Sequence, residues 1–193
     1  RSFILYVPAS YTAGTDVPLL FNFHGYTSNA LSQMFYGNFR PIADTANFII
    51  CHPQGTLDGS SQPHWDVTVG GAVDDLGFTL AMIDSISADY SIDADRIYST
   101  GMSNGGYMSL FLACQASNQF AAVASVTGAM SPMNLMGCSP THPTPVMQFH
   151  GTADAIVPYN GAVWSESIPD ILDYWSNYNN CDPTPIVTSL PDV

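Results

Sequence analysis

The residues with the clearest chemical meaning lie in the segment RIYSTGMSNGGYMSL, where Ser103 is the centre of a Gly-X-Ser-X-Gly motif. A serine hydroxyl is a weak nucleophile at neutral pH, so a catalytic serine needs a neighbouring base and donors for the developing oxyanion. Gly101 and Gly105 permit a sharp turn between a strand and a helix, which would lift the Ser103 side chain above a sheet. The motif therefore predicts acyl transfer through Ser103, and the competing interpretation is an ordinary glycine-rich turn.

Two backbone N–H groups are candidates for the oxyanion donors. The first belongs to Asn104, at the start of the helix that we expect after Ser103. The second comes from the polar loop that follows the apolar strand in LLFNFHGYTSNA, where we expect the N–H of Tyr26. We interpret His24, at the end of the same strand, as a buried histidine bonded to the backbone.

Asp154 is the candidate for the acid that orients a catalytic histidine. It follows the apolar segment TPVMQFHG, and functional residues of parallel sheets lie at the carboxyl ends of strands. In the architecture that uses a Gly-X-Ser-X-Gly turn, the chain order is nucleophile, acid, histidine. We therefore expect the Asp154 carboxylate at the same sheet edge as Ser103, across a gap about one imidazole wide.

The base of this triad is missing from its expected position. All five histidines, at positions 24, 52, 64, 142 and 150, precede Asp154. We expect that none of them bonds Ser103, and that the chain is C-terminally incomplete and lacks the segment with the catalytic histidine. Two alternatives remain open: a base supplied by His64 from the long loop, or a hydrolase fold that has lost catalysis and serves as a binding module.

The elements that would position these residues alternate along the chain. Helical patterns lie between most of the apolar strand segments, which indicates one α/β domain over residues 1–193, with a mainly parallel sheet covered on both faces. The clearest helix is DDLGFTLAMIDSISADY, with Asp74 and Asp75 at its start; a second follows Ser103 and a third spans about residues 163–178. The predicted strands are SFILYV, VPLLFNFH, NFIICHP, RIYSTG, AAVASVTG and TPVMQFHG.

Composition excludes several kinds of partner. Three Lys and Arg residues against 16 Asp and Glu give a formal net charge of -13, which would repel nucleic acid. No apolar run approaches the roughly 20 residues of a membrane span.

The four cysteines have neither CxxC spacing nor a paired Cys/His pattern, so we predict no metal site. We expect at most one disulfide, which would include Cys138 or Cys181, and buried free thiols at Cys51 and Cys114.

Taken together, these segments resemble the secreted poly(3-hydroxybutyrate) depolymerase and feruloyl esterase group of α/β-hydrolases. The match covers most of the chain in the same order, and the long serine segment and HGTADAIVPY are its most specific parts. The matching segments are RSFILYVP, PLLFNFHGYTSN, FIICHPQGT, DDLGFTLAMIDSISADYSIDADRIYSTGMSNGGYMS and MQFHGTADAIVPY.

The resemblance implies an extracellular serine carboxylic-ester hydrolase that needs no cofactor. Its substrates would be short-chain, hydroxyalkanoate or feruloyl-type esters, either small or attached to a polymer. The resemblance also implies that Ser103 is the nucleophile, that Asp154 is the acid, and that the N–H groups of Tyr26 and Asn104 are the oxyanion donors. It also implies that the histidine lies in a later glycine-histidine segment and that Cys181 pairs with a later cysteine. Trp65, in the long loop, is either a surface for the substrate or an anchor for the loop.

Overall fold

The computed structural model describes residues 1–189. The strands are β1 (Phe3–Tyr6), β2 (Val17–Phe23), β3 (Ile49–Pro53), β4 (Thr56–Leu57), β5 (Pro63–His64), β6 (Ile92–Met102), β7 (Ala122–Val126) and β8 (Val146–Phe149). The central element is a six-stranded sheet in the order β1-β3-β2-β6-β7-β8. All neighbouring strands are parallel except β1, which is antiparallel to β3, so the predicted mainly parallel sheet is confirmed. A short hairpin of β4 and β5 lies outside it.

Among residues 1–189, five helices connect the strands and a sixth follows the last strand. Crossovers between parallel strands are right-handed, so the helices that lead from β2 back to β3 cover one face, and the helices that lead from β3 to β6 and on to β7 cover the other. None of the described helices is long and apolar enough to cross a membrane. The helices are α1 (Ala30–Tyr36), α2 (Arg40–Ala46), α3 (Asp75–Asp89), α4 (Asn104–Gln115), α5 (Pro132–Met136) and α6 (Ile168–Tyr178).

Local sequence explains where the predicted helices begin. The Asp74 carboxylate caps α3 by accepting a hydrogen bond of 2.7 Å from the Gly77 N–H, as its position predicts. The third predicted helix starts five residues later than expected, at Ile168. There Ser167 caps the first turn and proline occupies an early position that needs no N–H donor. Polar capping groups therefore set this boundary, whereas the apolar pattern extends past it.

The core lies between the sheet and helices α3, α4 and α6. All five residues of β3 are buried, and nine of the twelve residues of α4 are buried. A strand that is buried on both faces is mainly apolar, and the run NFIICHP is the pattern by which the sequence predicts β3, although the run includes His52. Because α4 is enclosed along most of its length, its first turn is held rigidly against the sheet.

The disulfide differs from the expectation in one of its two cysteines. Cys138 is bonded as predicted, but its partner is Cys114, for which we expected a free thiol. The two Cα atoms are 5.0 Å apart, within the usual range for a disulfide. An apolar helix segment accommodates half of a disulfide as readily as a thiol, so the pattern around Cys114 could not distinguish them. Cys51 is a buried free thiol as expected, and Cys181 is free and exposed among the described residues.

His52, on β3, is a buried histidine with a lowered pKa. Its side chain is fully buried, and neither ring nitrogen has a hydrogen-bond partner among residues 1–189. Burial, with a smaller contribution from the positive charge of Arg40, lowers the pKa of His52 from 6.5 to about 4. Between these two values the unfolded chain binds a proton that the folded chain does not, so stability falls as the pH falls.

We expect His52→Leu to reduce the loss of stability in acid. In the unsubstituted protein, protonation of His52 should remove about 3 kcal/mol between pH 7 and pH 4, because each unit of pKa difference corresponds to about 1.4 kcal/mol. Urea denaturation at pH 7, 5.5 and 4 measures the free energy of unfolding for both proteins. Equal pH slopes in the two proteins would show that His52 is not the group responsible.

Candidate active site

Ser103 lies at the turn between β6 and α4, as the motif predicts. Its backbone has φ 53° and ψ -118°, a conformation that side-chain-bearing residues rarely adopt. The turn is fixed on both sides, because the Ser103 N–H donates to the Val126 carbonyl at 2.8 Å and the Ser103 carbonyl accepts from the Tyr107 N–H at 3.0 Å. The half-exposed side chain therefore sits at the carboxyl edge of the sheet.

The two glycines of the motif allow the backbone segments around the turn to approach each other closely. Neither Gly101 nor Gly105 has a positive φ; the residue in the strained conformation is Ser103 itself. A Cβ on Gly101 would lie 2.5 Å from the Gly105 carbonyl carbon, and one on Gly105 would lie 2.7 Å from the carbonyl carbon of Phe23. The glycines are therefore required because α4 approaches β6 and β2 too closely for a side chain.

The loop after β2 lies directly against the serine. A methyl group placed on Gly25 would be 3.6 Å from Ser103 Cβ, so the next residue, Tyr26, is a neighbour of the serine. Among residues 1–189, neither the Tyr26 N–H nor the Asn104 N–H has a hydrogen-bond acceptor. For Asn104 this follows from its position in the first helical turn, whose N–H groups have no partner within the helix. Two free donors thus flank the nucleophile candidate.

Asp154 lies in the loop that follows β8, at the same edge of the sheet as Ser103. The register pairs Met102 with Val126 and Val126 with Phe149, so the chain leaves β6 and β8 at the same level. Two strand spacings separate these exits by roughly 10 Å. Ser103 and Asp154 therefore both lie beyond strand ends at one edge of the sheet, and the gap of one imidazole between their side chains stays a prediction.

The Asp154 carboxylate has one occupied oxygen and one open oxygen. Oδ1 accepts hydrogen bonds of 2.9 Å from the N–H groups of Val157 and Ile156, and these bonds lower the pKa of Asp154. Oδ2 is 3.8 Å from His150 Nε2, which hydrogen-bonds the Val157 carbonyl at 2.8 Å instead. The carboxylate is therefore ionised near neutral pH, and Oδ2 is left to accept another hydrogen bond.

No histidine among residues 1–189 hydrogen-bonds Ser103, as the sequence predicts. His24 is fully buried, and its Nε2 accepts from the Gly55 N–H at 3.0 Å, which agrees with the interpretation of a backbone-bonded histidine. His64, the alternative base, is directed to the Thr56 carbonyl at 3.1 Å within the β4–β5 hairpin. His142 contacts the Pro143 carbonyl, and His150 lies beneath the Asp154 loop.

Trp65 anchors the long loop and does not face a substrate. Its side chain is 2% exposed, and its indole N–H donates to the His24 carbonyl at 2.8 Å. The ring also packs edge-on against Phe23, with the ring centroids 5.0 Å apart. Of the two roles left open by the sequence, the structure selects the anchor.

A cleft of about 310 Å³ opens beside Ser103. Two tyrosine rings, 47% and 73% exposed, stand at its sides, and no charged residue lines it. The sequence pattern did not identify Tyr36 or Met102 as part of the site, because each follows from the path of a neighbouring element and not from a motif. The lining residues are Gly25, Tyr26, Ser28, Ser32, Gln33, Tyr36, Met102 and Ser103.

Comparison with known sequences finds relatives among carboxylesterases and other esterases. The profile of a family described as phospholipase/carboxylesterase matches residues 79–176, which include Ser103 and Asp154. Feruloyl esterase B of Piromyces equi is 31% identical over 84% of this chain and 31% of its own length. The bifunctional acetylxylan esterase/xylanase XynS20E of Neocallimastix patriciarum is 28% identical over 82% of this chain and 22% of its own length. The chain thus spans less than a third of either relative.

Comparison with solved structures bears on the fold. The acetyl xylan esterase from Aspergillus awamori superposes with a TM-score of 0.66 at 18% identity, over 82% of this chain and 70% of that one. The predicted α/β-hydrolase architecture is confirmed, and so is the resemblance to feruloyl esterases. The resemblance to poly(3-hydroxybutyrate) depolymerases stays a prediction.

Proposed function

Because the chain belongs to the phospholipase/carboxylesterase family, we propose that it forms the catalytic domain of a serine carboxylic-ester hydrolase. The observation that carries this proposal is the strained turn that presents Ser103 beside two free N–H donors. Backbone strain of this kind costs about 1 to 3 kcal/mol and persists where function requires it. A turn with no chemical role would gain stability from glycine at this position.

The reaction would proceed through an acyl-enzyme. Ser103 Oγ attacks the ester carbonyl carbon while a histidine takes the hydroxyl proton, and the carbonyl oxygen becomes an oxyanion. The Tyr26 and Asn104 N–H groups donate to that oxyanion. The carbon–oxygen bond to the alcohol then breaks, and the alcohol leaves with the proton from the histidine. Water adds to the acyl-enzyme by the same route and releases the acid, so no cofactor is consumed.

Asp154 would orient the histidine and stabilise its positive charge. The open Oδ2 is the acceptor for the histidine Nδ1–H, while the two backbone bonds to Oδ1 keep the carboxylate ionised and fixed. None of the five histidines hydrogen-bonds Ser103 among residues 1–189, so we propose that the base comes from a segment outside residues 1–193. The relatives' greater length is consistent with this assignment.

Reaction with a fluorophosphonate tests the proposal in the complete protein. An activated serine displaces fluoride from phosphorus and gains a stable phosphonyl ester, whereas an ordinary serine reacts negligibly. Mass spectrometry should find one adduct, on the peptide that contains Ser103, and an excess of ester substrate should protect it. A folded protein with no adduct, or with one on another serine, would contradict the proposal. A protein with neither labelling nor hydrolysis would instead be the binding module.

Among the predicted substrates we propose feruloyl-type esters, because the cleft beside Ser103 suits an uncharged, flat acyl group. Its volume of about 310 Å³ is at the lower end for ligand pockets and exceeds what an acetyl group fills. The Tyr26 and Tyr36 rings can pack on an aromatic acyl group, and the hydroxyls of Ser28 and Ser32 have no partner among the described residues. The name of the feruloyl esterase relative is consistent with such a substrate.

We expect Tyr36→Ala to lower kcat/KM about tenfold for methyl esters of hydroxycinnamic acids, with the value for p-nitrophenyl acetate within about twofold. The loss corresponds to one contact between the Tyr36 ring and the aromatic acyl group. Such a contact stabilises a complex by about 0.5 to 1.5 kcal/mol beyond the burial of its surface. Phe35→Ala is the matched control, because Phe35 is an exposed aromatic on the same helix that does not line the cleft. Equal losses on both substrates would show that the cleft does not select the acyl group.

The protein is proposed to be extracellular. The bond between Cys114 and Cys138 supports this location, because disulfides persist in oxidising compartments and are rare in the cytosol. The charge of -13 is compatible with a neutral or polysaccharide-linked ester and disfavours polyanionic substrates.

A further inference from the structure

The two proposed oxyanion donors belong to different parts of the chain, and their separation must be fixed for both to reach one oxygen atom. Asn104 is carried by α4, whereas Tyr26 lies in the loop after β2. Donors stabilise an oxyanion only at about 2.7 to 3.1 Å, so a small displacement of either would weaken the effect. Hydrogen bonds within the sheet fix the positions of β2 and β6, but the Gly25–Tyr26 loop lies beyond the end of β2 and makes no such bonds within residues 1–189.

A single residue of the long loop bonds to both sides of this site. Two hydrogen bonds join the Trp65 backbone to the Asn104 side chain. The Trp65 N–H donates to Asn104 Oδ1 at 2.7 Å, and the Trp65 carbonyl accepts from Asn104 Nδ2 at 3.1 Å. The Trp65 indole N–H donates to the His24 carbonyl at 2.8 Å. A continuous chain of buried or half-buried hydrogen bonds thus runs from the first residue of α4 to the residue two positions before Tyr26.

Further bonds hold the same loop against the Tyr26 side of the site. The Thr27 N–H donates to the Pro63 carbonyl at 2.9 Å, and the Gly55 N–H donates to His24 Nε2 at 3.0 Å. Tyr26 therefore lies between two residues, His24 and Thr27, that are hydrogen-bonded to the long loop. Burial keeps water away from the Trp65 indole, so its hydrogen bond cannot be exchanged for one to solvent.

We propose that the Asn104 side chain and Trp65 are positioning residues that fix the distance between the two oxyanion donors. This proposal rests on the proposed function. Asn104 then has two separable roles, since its backbone N–H faces the oxyanion while its side chain holds Trp65 in place. The side-chain amide is suited to this task because it offers one acceptor and one donor, which match the N–H and carbonyl of Trp65.

The test compares three variants of the complete protein. Asn104→Ala keeps the backbone donor but removes both bonds to Trp65, and it should lower kcat by about 10- to 100-fold with KM within about twofold. Trp65→Phe keeps an aromatic ring but loses the indole N–H, and it should produce a smaller loss of the same kind. Trp175→Phe is the matched control: Trp175 is 2% exposed, its indole N–H has no partner among the described residues, and kcat should not change.

A second measurement separates positioning from general loosening of the fold. Trifluoromethyl ketones form a tetrahedral adduct whose oxyanion occupies the donor site, so their affinity for Asn104→Ala should fall by the same factor as kcat. The affinity for the corresponding methyl ketone, which forms such an adduct only negligibly, should be unchanged. If Asn104→Ala fails to fold, Trp65→Phe decides the matter. Unchanged kcat in Trp65→Phe, or equal losses of affinity for the two ketones, would overturn the proposal; full activity in Ser103→Ala would instead overturn the proposed function.

Discussion

Ser103→Ala is expected to abolish ester hydrolysis by the complete protein, with kcat reduced by about 10⁴-fold or more. The substitution removes the atom that forms the acyl-enzyme and leaves only binding and oxyanion stabilisation, which retain a small residual rate over water. Steady-state hydrolysis of p-nitrophenyl acetate measures the loss, with titration of the acyl-enzyme burst as a check on the fraction of active sites. Activity within tenfold of the unsubstituted protein would exclude Ser103 as the nucleophile.

Ser103→Gly separates the loss of the hydroxyl from the strain of the turn. Glycine adopts φ 53° without the steric penalty of a Cβ, so this variant should be as inactive as Ser103→Ala and more stable than it by about 1 kcal/mol. Urea denaturation provides the comparison. A stability gain that accompanies complete loss of activity is the result expected when a strained conformation is maintained for catalysis.

The strands and the positions of Ser103 and Asp154 were accessible from the sequence because they depend on local patterns. Buried parallel strands such as β2 and β3 need continuous apolar runs, and turn residues mark their ends. Asp154 could be placed because the carboxyl ends of parallel strands share one edge, and the register of β6, β7 and β8 agrees. The α/β-hydrolase fold was predicted correctly for the same reason.

The features that the sequence did not predict depend on contacts between distant segments. Nothing near Cys114 indicates that Cys138 lies beside it, because their proximity results from the packing of α4 and of the segment that follows α5. Tyr36 enters the cleft only because α1 ends beside the Ser103 turn. The two side-chain bonds from Asn104 to Trp65 join residues 39 positions apart. The residues of the motif were found, but the residues that support them were not.

The glycines of the motif show which contact the sharp turn depends on. We expected Gly101 and Gly105 to permit the turn between strand and helix, and within the motif only Ser103 has a positive φ. At both glycine positions the neighbouring backbone leaves no room for a Cβ. The site therefore depends on the close contact between α4 and the sheet, and this contact can be tested without altering any catalytic group.

Gly105→Ala is expected to destabilise the fold by about 3 kcal/mol or more and to reduce activity at the same time. The added Cβ would lie 2.7 Å from the Phe23 carbonyl carbon and 2.8 Å from the His24 carbonyl oxygen, and backbone atoms cannot move aside as side chains do. Alanine's better helix propensity offsets at most about 1 kcal/mol of this cost. For a domain of this size, thermal unfolding should shift downward by roughly 10 °C.

The loss of activity in Gly105→Ala would follow from the direction in which α4 must move. The methyl group pushes the first turn of α4 away from the end of β2, so the Asn104 N–H moves away from Tyr26 while Ser103 moves with the helix. Gly59→Ala is the matched control, because no atom lies within 4 Å of its added Cβ and its φ is not positive; its stability should change by less than about 0.5 kcal/mol. If Gly105→Ala were as stable and active as Gly59→Ala, the close contact between α4 and β2 would not be what the motif requires.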